Sequence, residues 1–155
     1  MKLSIIIPCF NEINFIEKIL NKIKISNKFE SEIIIIDDFS KDGTREFLEN
    51  IKNDKDYKIF YNDKNYGKGF SVRKGIENSS GEIILIQDAD LEYDPSDYSK
   101  LVTPIINDEA DVVYGSRFIG SDLVRVHMFW HKVGNNFLTL LSNIFTNLNL
   151  TDMEN

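Results

Sequence analysis

Along the first 115 positions, short runs of apolar, mostly β-branched residues alternate with stretches in which apolar positions recur every three or four residues. The first pattern is that of buried strands and the second that of amphipathic helices. Five runs qualify as strands: residues 3–7 (LSIII), 32–37 (EIIIID), 57–61 (YKIFY), 82–87 (EIILIQ) and 111–114 (DVVY). Between the first two, Ile16, Ile19, Leu20 and Ile23 keep the spacing of one helical face. Residues 40–51 predict a second helix, with Ser40 and Asp42 as capping residues and Phe47, Leu48 and Ile51 on one side. A third helix is predicted within 67–81, stopped by Ser79, Ser80 and Gly81. A fourth opens with Pro95, where a missing N–H is harmless, and must kink or end at Pro104.

The strand candidates are continuous Ile/Val runs rather than in/out alternations, so both faces of the sheet should be covered. That predicts an α/β protein, a three-layer α/β/α sandwich with a mostly parallel sheet. In open sheets of this kind, ligands sit outside the carboxyl ends of the strands, where the strand order reverses. Every polar cluster follows a strand candidate: PCFNE, DDFSKDGT, NDKNYGKG, DADLEYD and GSRF, in chain order.

A length of 155 residues, 42% of them hydrophobic, supports one domain over residues 1–155. The final stretch, NLNLTDMEN, lacks the Gly, Pro or charge cluster that usually closes a domain, so a missing C-terminal portion is expected. The net charge of −7 argues against nucleic acid as a partner and confines any phosphate recognition to a local site. A lone cysteine, Cys9, leaves no internal disulfide, and no apolar segment reaches the length of a membrane span. Both features predict a cytoplasmic chain.

The sharpest chemical signal is Asp88-Ala89-Asp90 at the end of the fourth run. In extended chain the two carboxylates point the same way about 7 Å apart, where they repel by roughly 2 to 3 kcal/mol at an intermediate dielectric. A divalent cation held between them and a diphosphate removes that penalty, and Mg²⁺ or Mn²⁺ takes such oxygen ligands. The competing reading, acids that cap the next helix, is weakened because Asp94, Ser96 and Asp97 already stand there. Asp37 and Asp38 end the second run, either to accept from a base or a ribose or to form the turn before Asp42 and Gly43. Pro8, Phe10 and Glu12 form one wall of a base pocket or an ordinary strand exit. NYGKG is neither a Walker loop nor a full dinucleotide motif, yet its glycines permit close approach to a helix start, with Lys68 and Arg73 as phosphate or base contacts or as a solvated basic face. His127 and His131 have zinc-ligand spacing, but Met128 stands where a zinc protease needs glutamate, and they are read as surface or packing residues.

Taken in order, LSIIIPCFNE, IIIIDDFSKDGT, NYGKGFSVRKG, GEIILIQDADLEYDP and VVYGSRF resemble the nucleotide-sugar domain of glycosyltransferase family 2, which has the GT-A fold. The resemblance runs from residue 3 to about 152 and is strongest to the polyprenyl-phosphate (dolichyl-phosphate) mannosyl- and glucosyltransferase branch. It implies an inverting, metal-dependent hexosyltransferase that uses a UDP- or GDP-sugar and a lipid phosphate acceptor at the membrane surface. Pro8, Phe10, Glu12, Asp37 or Asp38, Lys68, Arg73 and Asp88 would hold the nucleotide sugar. Asp88 and Asp90 would hold the metal, and Arg117 and Arg125 the acceptor phosphate. Asp90, Arg117 and Asp152 would be catalytic, Asp152 taking the proton if the acceptor is a hydroxyl. In that branch the amphipathic stretch 127–148 would lie along a membrane; as a plain core element it would cover the sheet through Phe137, Leu141 and Ile144. One departure stands out: Phe39 occupies the place where the family often has glycine.

Two other classes share parts of the pattern. A phospho-acceptor receiver domain also pairs acids at one strand tip with an aspartate two strands later, as Asp37, Asp38 and Asp88 do, with Ser116 in its hydroxyl position. A sugar-1-phosphate nucleotidyltransferase would need a glycine-rich, Arg-containing loop that PCFNEINF lacks.

Overall fold

The computed structural model describes residues 1–91, 93–115, 129–147 and 150–151. They fall into two compact units, Met1–Thr103 and Pro104–Asn155.

The first unit is built on four parallel strands, β1 (Leu3–Cys9), β2 (Ser31–Asp37), β3 (Tyr57–Tyr61) and β4 (Ile83–Ile86), in the order β3-β2-β1-β4. Helices α1 (Ile16–Ser26), α2 (Thr44–Ile51) and α3 (Lys68–Glu77) connect them. Right-handed crossovers require α1 and α2 on one face and α3, which returns the chain across β2 and β1, on the other. α3 packs on β1 and β2. Its Gly75 lies so close on Ile6 that a Cβ there would collide with the isoleucine. α4 (Tyr98–Ile106) follows a 3₁₀ turn, Pro95–Asp97, that packs on α1.

Continuous burial holds for β1 and β2, which are covered on both sides, but not for β4. There Leu85 is buried while Ile84 and Ile86 are 40% and 50% exposed. The fifth predicted strand does not form: residues 111–115 join no ladder, and Val112 and Tyr114 are exposed. Four extended residues gain little unless a neighbour takes their N–H and C=O groups. Pro104 does not end α4, which runs two residues further. Of the two expected capping residues, Asp42 accepts from the first N–H of α2, Thr44 N (3.0 Å), whereas Ser40 Oγ accepts from Asn11 N instead. The helix is preceded by Gly43 at φ 103°, and Asp42 reaches the exit of β1 as well, through its other oxygen.

In the second unit, α5 spans Phe129–Thr146 and pairs Asn143 with both backbone groups of Leu150. Phe137 and Ile144 are exposed. Among the described residues, no helix is long and apolar enough to cross a membrane.

Candidate active site

Strand order reverses at β1, because β2 and β3 continue on one side while β4 lies on the other. The backbone shows where the resulting cleft opens. Odd residues of β1 bond to β2, as in Leu3 N to Glu30 O and Asp38 N to Cys9 O. Even residues face β4, as in Glu82 N to Lys2 O and Gln87 N to Ile6 O. Pro8 is the next even residue, so its missing N–H falls where β1 and β4 part. A proline inside a central strand is tolerated for that reason.

The loops around this cleft leave the strands through left-handed residues: Asn11 at φ 58°, Phe39 at 69° and Leu91 at 64°, with Gly67 at 88° leading into α3. Phe39 adopts the conformation that glycine would ease, and it is partnered by the cations of Lys41 and Arg45 over its ring. Backbone in this region costs energy and persists only where the surroundings enforce it. Here the exits of β1 and β2 are stitched together. Asn11 N donates to Ser40 Oγ (2.9 Å), Lys41 N to Asn11 Oδ1 (2.8 Å), Glu12 N to Thr44 Oγ1 (2.9 Å) and Ile13 N to Asp42 Oδ2 (3.1 Å).

The two aspartates that end β2 are buried. Asp37 accepts from Arg45 Nε (2.7 Å) and Ser40 N (3.2 Å), and Arg45 also donates to Asn62 O (2.7 Å). Asp38 accepts from Asn62 Nδ2 (2.7 Å), Tyr66 N (3.0 Å) and Gly67 N (2.7 Å). Their oxygens therefore shape the rim by holding the 62–67 loop and the start of α3. Cys9 is buried too. Burial, followed by the charges of Asp37, Glu12 and Asp42, pushes its thiol far up, which removes it as a nucleophile.

Glu12, past the end of β1, lies near enough to Asp88 and Asp90, past the end of β4, to feel their charges. The carboxyl of Glu12 is raised, first by burial and then by the charges of Asp90, Asp42 and Asp88. β4 stops at Ile86 and Ala89–Asp90 is a turn, so the extended spacing of the two aspartates gives way to a bend. Gln87, 1% exposed, holds that bend: its Nε2 donates to Asp88 O and Tyr93 O, and its Oε1 accepts from Tyr98 OH at 2.8 Å. Asp94 caps the following turn by accepting from Ser96 N, as its sequence position suggested.

Lys68, the first residue of α3, places its ammonium 2.7 Å from Asp88 Oδ1 and 2.8 Å from Oδ2. Arg73, five residues on, lies elsewhere, in a groove of about 450 Å³ that it lines with Tyr66, Phe70 and Glu77. That groove shares Asn62 and Tyr66 with the Asp38 turn. Phe10, 45% exposed, stands at the exit of β1 next to half-buried Pro8 and Glu12. Arg117, Arg125, Asp152, Ser116 and His127 lie outside the described residues.

Sequence reasoning missed Gln87, Asn62 and Arg45. Gln87 and Asn62 are polar residues just past a strand end and Arg45 lies in the first turn of α2, and an amide beside an Asp-x-Asp was the available signal for Gln87.

The donor set suits a hard divalent cation without forming a complete cage. Among the described residues, no three His, Cys, Asp or Glu side chains converge on one point. Carboxylate oxygens are nevertheless present, and a cationic group, the Lys68 ammonium, already sits on one of them. Mg²⁺ and Mn²⁺ bind in this fashion, taking one or two carboxylates and completing their shell from phosphate and water.

The profile of the family described as Glycosyl transferase family 2 matches residues 4–151. Over 136 residues the chain is 31% identical to a dolichol-phosphate mannosyltransferase of Pyrococcus furiosus, covering 86% of this chain and 38% of that one. It is 28% identical to a UDP-N-acetylglucosamine–dolichyl-phosphate N-acetylglucosaminyltransferase of Methanococcus voltae, covering 97% and 65%. The chain thus spans less than two thirds of either relative's length. Among solved structures, the mannosyltransferase PcManGT from Pyrobaculum calidifontis, in complex with GDP-Man and Mn²⁺, superposes with a TM-score of 0.54 at 25% identity, over 61% of this chain and 29% of that one. The four-stranded parallel sheet with helices on its faces is the nucleotide-sugar fold of these proteins, and the chain belongs to glycosyl transferase family 2.

Proposed function

We propose that the chain is the donor-binding domain of an inverting, metal-dependent glycosyltransferase. It moves a sugar from a UDP- or GDP-sugar to a polyprenyl phosphate at the cytoplasmic face of a membrane. The observation that carries this reading is the cleft between β1 and β4, where burial and the charges of Asp90, Asp42 and Asp88 raise the carboxyl of Glu12 and Asp88 already holds the Lys68 ammonium. The names of the two relatives support the acceptor, and the complex of the mannosyltransferase supports the nucleotide and the ion.

Pro8 and Phe10 form the wall for the base, with Glu12 at its foot. Asp37 and Asp38 serve the nucleotide by fixing the turn and the α3 start against which it lies. Asp88 and Asp90 hold Mg²⁺ or Mn²⁺, which supplies positive charge to the leaving nucleoside diphosphate. Lys68 and the free N–H groups at the start of α3 face the diphosphate, since a helix start favours anions. Arg73 contributes from the groove beside Tyr66. Arg117 and Arg125 gather the acceptor phosphate, whose anionic oxygen attacks C1 of the sugar from the side opposite the leaving group. A lipid phosphate needs no strong base; for a hydroxyl acceptor, Asp152 takes the proton.

The receiver alternative asks for an open acidic pocket, whereas Asp37 is bound to Arg45 and both acids after β2 are buried. The test is a thermal-shift panel of UDP- and GDP-sugars with and without Mn²⁺. A donor at a hundred times its Kd stabilises by about 2.7 kcal/mol. Asp90→Ala should lose the Mn²⁺-dependent part of the shift, and an equal shift in both proteins would refute the site.

A further inference from the structure

Asp88 carries a cation that belongs to the chain itself. Both of its oxygens lie within 2.8 Å of the Lys68 ammonium. The position of Lys68 is built rather than incidental: the preceding amides, Tyr66 N and Gly67 N, are held by the buried carboxylate of Asp38, which Asn62 holds in turn. The side chain beyond that anchor is a different matter, since it is 58% exposed, against 23% for Asp88. An exposed ammonium on a flexible stem is held weakly and exchanges partners readily. Its other partner would arrive at the same place. α3 is ten residues long and begins at Lys68. A Cβ added at Gly67 or Gly69 would meet nothing within 4 Å, so the ground before this helix is open.

We propose that Lys68 is an internal counter-cation that occupies Asp88 until a nucleoside diphosphate draws it away, so that metal and donor bind interdependently. The proposal rests on the donor site described above and assigns Lys68 a positioning role within it. A singly charged ammonium and a divalent ion cannot both sit on one carboxylate without repelling each other. The diphosphate resolves that competition by offering Lys68 other oxygens while adding ligands for the ion. Linkage then requires that the metal strengthen nucleotide binding by the same factor by which nucleotide strengthens metal binding.

The experiment is a titration of Mn²⁺ followed by the electron paramagnetic resonance signal of the free ion, alone and with UDP or GDP. It uses the parent chain, Lys68→Gln, Lys68→Arg and Asp88→Asn. The parent should bind Mn²⁺ weakly alone and more tightly with one of the nucleotides. Lys68→Gln should bind Mn²⁺ alone about fivefold tighter or more, with a correspondingly smaller gain from nucleotide. Lys68→Arg, which keeps the charge, should resemble the parent. If nucleotide-dependent Mn²⁺ binding is present and lost in Asp88→Asn, yet Lys68→Gln binds Mn²⁺ alone no tighter than the parent, the counter-cation role is overturned and the donor site stands. If the parent takes up no Mn²⁺ with either nucleotide, the donor site falls and this role with it.

Discussion

Two glutamates at opposite ends of the sheet, Glu32 and Glu12, are treated in opposite ways. At the amino end, Glu32 is 8% exposed and is surrounded by donors from four residues, Lys2, Ser4, Lys58 and Ser80. Its Oε1 accepts from Ser4 Oγ (2.6 Å), Ser80 N (2.6 Å) and Ser80 Oγ (2.9 Å), and its Oε2 meets Lys58 (2.7 Å) and Lys2 (3.3 Å). Burial alone would raise its carboxyl, but the bonds from Lys58, Ser4 and Ser80 outweigh burial and hold it far below the ordinary range. At the carboxyl end, Glu12 feels burial and then Asp90, Asp42 and Asp88, so its carboxyl is raised. A buried acid that its own chain satisfies is part of the framework. Acids whose neighbours are other acids mark a place that takes a cation from outside.

The strongest way to break this contrast is Glu32→Ala. It removes the acceptor shared by two ammoniums, two hydroxyls and the Ser80 N–H, and should cost about 3 kcal/mol in urea unfolding, in the range for opening a buried ion pair. Asp90→Ala at the other end should change the stability of the ligand-free chain by less than about 0.5 kcal/mol. It should nevertheless abolish the Mn²⁺-dependent shift. A loss of stability as large as that of Glu32→Ala would mean that the two ends are alike.

The pH dependence sharpens the same point with opposite signs. Glu32 has a folded-state pKa below its ordinary value of 4.5, so its contribution is present above that value and is lost as pH falls toward the folded pKa. Glu12 has a folded-state pKa above 4.5, so stability falls as pH rises from there through the raised value. Glu12→Gln should remove that decline and stabilise the chain at pH 7 by on the order of 0.5 kcal/mol, read from urea midpoints across pH 4 to 8. The smallest expected effect is at Phe39. Changing it to glycine relieves about 1 kcal/mol of left-handed strain. It also forfeits the contacts with Lys41 and Arg45. The net change should lie within about 0.5 kcal/mol, and a gain well beyond that would show the ring contacts to be idle.

Which features were legible in the sequence follows from how local their causes are. β1, β2 and β3 could be read because each is a short run of apolar, mostly β-branched or aromatic residues, and α1 because its buried face repeats with the helical period. The Asp-x-Asp stood out because like charges at a strand tip are costly anywhere. Ser40 and Asp42 looked like helix caps because capping is a local rule; Asp42 does take Thr44 N, but Ser40's partner Asn11 and Asp42's second partner Ile13 lie about thirty positions back. For the same reason Asp37 gave no hint of Arg45, nor Asp88 of Lys68, which is twenty residues away. DVVY failed as a strand because a strand needs a neighbour, and no property of four residues supplies one.

Pro8 makes the gap between β1 and β4 permanent. A ring nitrogen has no hydrogen to offer Gln87 O, so the next rung of the ladder between these two strands is missing. The doorway is kept ajar by covalent bonds, and any residue with an amide hydrogen at this position would give the chain the means to seal it.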